Sequence, residues 1–296
     1  MIDDIFNVAY GIWNQLISIA MTLFTTSPVN ANGGVYATTQ TQYNAISNIS
    51  LPIAIVFFLI AICRDVISTP PEQQIRRFLG DSLKFGILVG ILANLWDVMG
   101  YIMQVADGVT STLGSAGSYT LTMSSDLQAV INEAAVKPSV EIHLTSFGSD
   151  LVDFMGAWMD WILTYLLFII AAVVTLVVTV GSCISILASA FQRIIKPLAI
   201  LPFSSIAVAM GAGTGESSRI MTSYLKTFFG LCISGAFMVI CVKLGVAITT
   251  GGLIAFDLGS LTLHEKVLYI SVQNMITPIV IAGLVKTSDS VLGRFF

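Results

Sequence analysis

Four polar residues fall on one face of an otherwise apolar run. Asn94, Asp97, Tyr101 and Gln104 lie within about 80° of one another at 100° per residue. An ionisable side chain inside such a run is expensive in lipid and faces a helix bundle or water. A second stripe is made of hydroxyls: Thr164, Thr175, Thr179, Ser182, Ser185 and Ser189 share about 120° of a helix. Such hydroxyls either bond neighbouring helices or line an aqueous path, and the residue types allow both. Gly86 and Gly90 have the GxxxG spacing that lets another helix approach closely.

A third feature is the stretch RIIKPLAILPFSSIAVAMGAGTGESSRIMTSYLKTFF, from Arg193 to Phe229. Arg193 and Lys196 open it, and Pro197 and Pro202 begin an apolar part that ends at Ala212. Leu198 to Ala212 is about 15 residues, roughly 22 Å as helix, against a hydrocarbon core of ~30 Å. Its prolines remove backbone donors where lipid offers no replacement, so the surrounding helices must enclose it. The sequence therefore predicts a re-entrant segment with its flanking cations on the cytoplasmic side. Gly211, Gly213 and Gly215 read as a chain reversal. They do not form a phosphate loop, which needs Gly-Lys-Ser/Thr after four intervening residues; here Glu216 follows Gly215. Glu216 then opens the next helix, where an acid suits the dipole, and Arg219 is placed to pair with it.

No catalytic, cofactor-binding or metal-ligating set is expected. His143 and His264 are isolated and read as solvated loop residues. The four cysteines lie in apolar runs without CxxC spacing, as small membrane-helix residues do.

The elements that must position these residues follow from composition. The 296 residues are 55% hydrophobic and 10% charged, against about 25% charged in a soluble domain. The fold class predicted is an all-α polytopic membrane helical bundle. Residues 1–45 read as an interfacial helix and a polar extracellular loop. Residues 46–296 form the bundle, with an extracellular polar loop over 106–153 that contains a short helix from Ser125 to Val136. Spans are expected near 46–63, 82–105, 161–192, 228–248 and 267–285, with 197–212 re-entrant. That arrangement puts ten of the thirteen cations inside the cell. It makes the C-terminus cytoplasmic and the N-terminus extracellular in the cell membrane.

At Arg193 to Met238 the sequence resembles the central block of TrbL-type conjugal transfer proteins, in the version carried on integrative elements of Firmicutes. The shared pattern is a basic–Pro–Leu–Pro-Phe segment, a small-residue turn with Gly-Glu, and a helix with Tyr-Leu-Lys. The resemblance implies a non-enzymatic membrane subunit of a type IV secretion system, which moves a relaxase-bound single DNA strand between cells. It also implies a homo-oligomeric ring, a pentamer, working in the lipid bilayer with a VirB-type ATPase and small bitopic subunits. A small-molecule secondary transporter is the competing reading, for which the broken segment and Asp97 would form a substrate site. A scaffold whose stripes only pack helices is another.

Overall fold

The computed structural model describes residues 2–30, 34–68, 70–139, 147–251 and 261–295. Most of these are helical, with no strand among them. Helix α1 spans Ile2–Thr25, with Asp3 and Asp4 in its first turn, where carboxylates suit the dipole. Phe6, Trp13, Ile17 and Phe24 recur at helical spacing and are all buried. The sequence suggests an interfacial helix; α1 is long and apolar enough to cross a membrane, and one of its faces is packed against protein.

Helix α2 covers Val35–Ser68 with Pro52 inside it, so the polar stretch before Ile46 is helix rather than loop. The helix accommodates the hydroxyls of this stretch and of the turns that follow it. Thr38, Thr39 and Thr41 donate to carbonyls four residues back, and Ser47 and Ser50 to carbonyls three back. Helix α3, Pro71–Ala93, begins on a proline, whose missing N–H costs nothing at that position.

The expected single span over 82–105 is broken. Asn94 leaves the helical region (φ −116°, ψ 18°), and α4, Leu95–Ser115, continues after it. The two helices are bent by 72°. The Asn94 amide donates to the Gly90 carbonyl, 3.1 Å away, and its backbone N–H reaches Ile91 at 3.2 Å. One residue thus closes α3 and starts α4. The Gly/Ser/Thr-rich stretch after 105, whose composition suggests loop, is the second half of α4.

Helix α5, Ser125–Ala135, is capped by Ser124, whose hydroxyl accepts from the Leu127 N–H at 3.2 Å. Helix α6 runs over Phe147–Ile200, 54 residues, with Pro197 inside. It is much longer than the uncharged 161–192 core. After a 3-10 turn at Leu201–Phe203 come the short helix α7, Ser204–Ala209, and another 3-10 turn at Met210–Ala212. Helices α8, Glu216–Gly251, and α9, Leu263–Phe295, complete the described chain.

Five of these helical stretches are long and apolar enough to cross a membrane, and up to six if the bent α3–α4 pair counts as one span. The protein is a multi-pass membrane protein.

The chain forms two compact units. The first comprises Met1–Ala20, Gly117–Ala188 and Ile240–Lys286. Its core includes Phe6, Leu127, Val130, Phe168, Val267 and Ile270. Polar ties supplement this packing. The Asn14 amide donates to the Leu121 carbonyl at 3.0 Å and accepts from its N–H at 2.8 Å, and Tyr10 donates to Asn274 at 2.7 Å. The second unit comprises Met21–Ala116, Ser189–Val239 and Thr287–Phe296. It is built on Leu95, Met99, Met103, Leu198, Leu201 and Phe228, among others, and it holds the segment singled out above.

Candidate functional site

Arg193 is the centre of that segment, and it is not a surface cation. The residue is 2% exposed. Its Nη2 donates to Asp107 Oδ1 at 2.9 Å, forming a buried ion pair. Its Nη1 donates to the carbonyls of Leu23 and Thr26, each at 3.2 Å. Those carbonyls lie at the C-terminal end of α1, where the last turn leaves acceptors without intrahelical donors and where a cation suits the dipole. One guanidinium therefore joins α1, α4 and α6. The expectation that Arg193 faces the cytoplasm is corrected for this reason: its charge is neutralised inside the unit. The membrane-compatible run consequently does not stop at Arg193. The helical path continues through it as one membrane-length stretch, Leu151–Ala212, so the re-entrant dip expected over 197–212 is corrected. Pro197 is absorbed within α6 and Pro202 within a short 3-10 turn, and the pronounced bend lies at Asn94 instead. Lys196 is half-buried.

Opposite Arg193, Gly235 of α8 has no side chain, and a Cβ there would overlap the Arg193 Cδ, Nε and Cζ. The helix-to-helix approach is therefore made for the arginine. Just past the end of α6, Pro202 removes a backbone donor. The Ser204 N–H turns to Leu201 in 3-10 fashion, leaving the Ile200 carbonyl without the partner that an α-helix would give it. The Tyr224 hydroxyl of α8 supplies that partner at 3.0 Å. A tyrosine from the next long helix thus adds a donor at the 3-10 turn that follows α6.

The three glycines divide their work. Only Gly215 has a left-handed backbone, at φ +71°. Gly211 and Gly213 have no need of unusual angles; they clear space for the Met221 and Ser217 side chains. The reversal ends beside basic residues of α2 and α3. Lys84 donates to the Gly213 carbonyl at 3.3 Å, and the Arg64 guanidinium lies against Gly215. Gly215→Ala should cost about 1–2 kcal/mol, since an L-residue is strained there. Unfolding in mixed micelles would measure it, and an unchanged midpoint would refute the assignment. Glu216 sits in the first turn of α8. Glu216 and Arg219 are both exposed, and the ion pair anticipated between them is not formed among the described residues.

The two stripes separate sharply. Thr164, Thr175, Thr179, Ser182 and Ser189 are all buried, so the hydroxyl stripe packs within the protein. Thr175 donates to the Ala171 carbonyl of its own helix at 2.8 Å. Thr164 donates to Asp160 and also meets His264 Nε2 at 2.8 Å. His264 is therefore a half-buried, bonded residue in the first turn of α9, not a solvated loop residue. His143 lies outside the described residues. By contrast Asn94, Asp97, Tyr101 and Gln104 are all exposed. The bend at Asn94 leaves Asp97 in the first turn of α4. Gly86 and Gly90 are exposed too, and nothing in the chain lies within 4 Å of a Cβ at either. Within the described chain, no helix uses the GxxxG face.

Among the described residues no group of three or more His, Cys, Asp or Glu is arranged to hold a metal. Cys183, Cys232 and Cys241 are buried and Cys63 is exposed, all as free thiols. Nothing in the sequence signals the partnership of Asp107 with Arg193. The composition around Asp107 suggests a polar loop, and only the extension of α4 brings it inside. No family model, curated protein or solved structure matches the chain.

Proposed function

We propose that this chain is the multi-pass channel or scaffold subunit of a conjugative type IV secretion system, helping a relaxase-bound DNA strand across the cell membrane without a catalytic step of its own. The observation that supports the reading most is the self-consistency of the Arg193–Met238 block. The two arms of the block that carries the family resemblance meet one another: Arg193 with Gly235, Ile200 with Tyr224, Gly211 with Met221. The block is a folded hairpin, not a string of coincidental residues. In this reading the subunit forms a homo-oligomeric ring, a pentamer, through open faces such as Gly86 and Gly90. A VirB-type ATPase and small bitopic subunits complete the machine. The turn at 213–215 lies against Arg64 of α2 and Lys84 of α3, which supports a common side for these basic residues; in this reading that side is the cytoplasm, where the C-terminus also lies.

Mating assays test the proposal. Pro202→Ala, Lys196→Glu and Glu216→Lys should each lower transfer by about an order of magnitude or more, while immunoblots show the protein in the membrane at its usual abundance. Normal transfer in all three would remove the segment from the transport path. A cavity lined by Asp97, Asn94 and Trp96 is what supports the competing small-molecule transporter. A relaxase and a VirB-type ATPase encoded nearby would favour secretion, and an isolated transporter operon would favour the alternative.

A further inference from the structure

Asp97 is exposed and makes no ion pair or hydrogen bond among the described residues, so its carboxylate is open to a ligand. What surrounds it is specific. Asp97 lines a cavity of about 440 Å³ between α2 and the α3–α4 bend, together with Gln40, Tyr43, Asn44, Asn94 and Trp96. Trp96 is the hub of an aromatic cluster, with its centroid 4.9 Å from that of Tyr36 and 5.1 Å from that of Tyr43. Trp96 and Tyr43 line the cavity with Asp97, and a single carboxylate beside an indole and a phenol favours an organic cation. A hard divalent metal would ask for several oxygen ligands of higher total charge. The three amides supply acceptors for N–H groups and donors for an adjoining oxyanion. Depth along the helix fits as well. Tyr43 stands 21 residues before Arg64 on α2, about 32 Å at 1.5 Å per residue, close to one hydrocarbon thickness. With Arg64 at one headgroup layer, the cavity opens at the other.

We propose that this cavity binds an alkylammonium group, either the headgroup of a zwitterionic lipid or a free amine of the same chemistry. The inference is independent of the secretion reading, and each can fail alone. Full-length protein in detergent would be incubated with phosphatidylethanolamine, phosphatidylcholine or phosphatidylglycerol of equal chain length and followed by native mass spectrometry. In parallel, choline chloride, ethanolamine hydrochloride and sodium chloride would be titrated against tryptophan fluorescence.

Retention of the zwitterionic lipids over phosphatidylglycerol, weakened about tenfold in Asp97→Asn, is the result expected for a lipid ligand. A fluorescence response to choline or ethanolamine without any lipid preference identifies a soluble amine instead, provided that Asp97→Asn abolishes it. Trp96→Leu should weaken either signal but also disturbs the aromatic cluster. Asp97→Asn alters an exposed side chain, so its gel-filtration profile and helicity should match the parent's. The proposal is overturned if neither lipid nor amine binding depends on Asp97, or if sodium reproduces the effect of choline at equal concentration.

Discussion

Arg193→Met is expected to destabilise the protein by about 3–5 kcal/mol, the usual cost of leaving one member of a buried ion pair without the other. Asp107 would remain inside with an unopposed charge. The Leu23 and Thr26 carbonyls would also lose their donor, and a buried acceptor without a partner costs about 1–3 kcal/mol. Removing both charges together should be milder. The double replacement Arg193→Met, Asp107→Leu has no stranded carboxylate and retains only the loss at the end of α1. Titrating the detergent-solubilised protein with dodecyl sulfate and following tryptophan fluorescence would give the midpoints of parent, single and double variants. If the single and double variants unfold together, the pair carries no coupling and Arg193 is not the junction described.

The second large effect belongs to Gly235. Ala there places a Cβ inside the volume of the Arg193 side chain. That side chain cannot swing aside cheaply, because Asp107 holds one nitrogen of its fork and the α1 carbonyls hold the other. Gly235→Ala should therefore cost about 1–3 kcal/mol, as overpacking does. In the Arg193→Met, Asp107→Leu background much of that cost should vanish, since a methionine adapts to the space. Gly181→Ala is the control: a Cβ there meets nothing within 4 Å. Helix propensity alone would then favour alanine by up to about 1 kcal/mol. Equal losses at 181 and 235 would mean that the close approach to Arg193 is unimportant.

The apolar runs make the membrane class and the rough positions of the spans legible, because about 20 consecutive apolar residues match the thickness of a bilayer core. The glycine reversal and the Glu216 helix start are also readable, since backbone angles and helix dipoles act locally. The helix ends are not. The part of α2 before Ile46 is rich in Thr and Gln, and α4 after Val105 in Ser, Thr and Gly, compositions that resemble loop. In the fold their hydroxyls bond back to carbonyls of the preceding turn, as Thr110 and Thr112 do at 2.8 Å, so a polar face still forms helix. Misplacing the end of α4 hides Asp107, and with Asp107 hidden, Arg193 reads only as a flanking cation. Spacing alone puts the hydroxyls of α6 on one face and leaves their role open; the structure buries them. The same periodicity groups Asn94 with Gln104 as if on a straight helix, which the bend at Asn94 interrupts.

The ion pair also orders the making of the protein. Asp107 and Arg193 are 86 residues apart, and the acid leaves the ribosome first. At roughly 5–20 residues per second the arginine follows on the order of 4–17 s later. Throughout that interval the nascent chain holds Asp107 without its arginine, and the cost of burying that carboxylate alone opposes the final seating of α4. The late arrival of α6 supplies the missing charge and closes α1 at the same stroke. Biogenesis of this unit is thus completed from its later half, with one side chain acting as the fastener for helices made well before it.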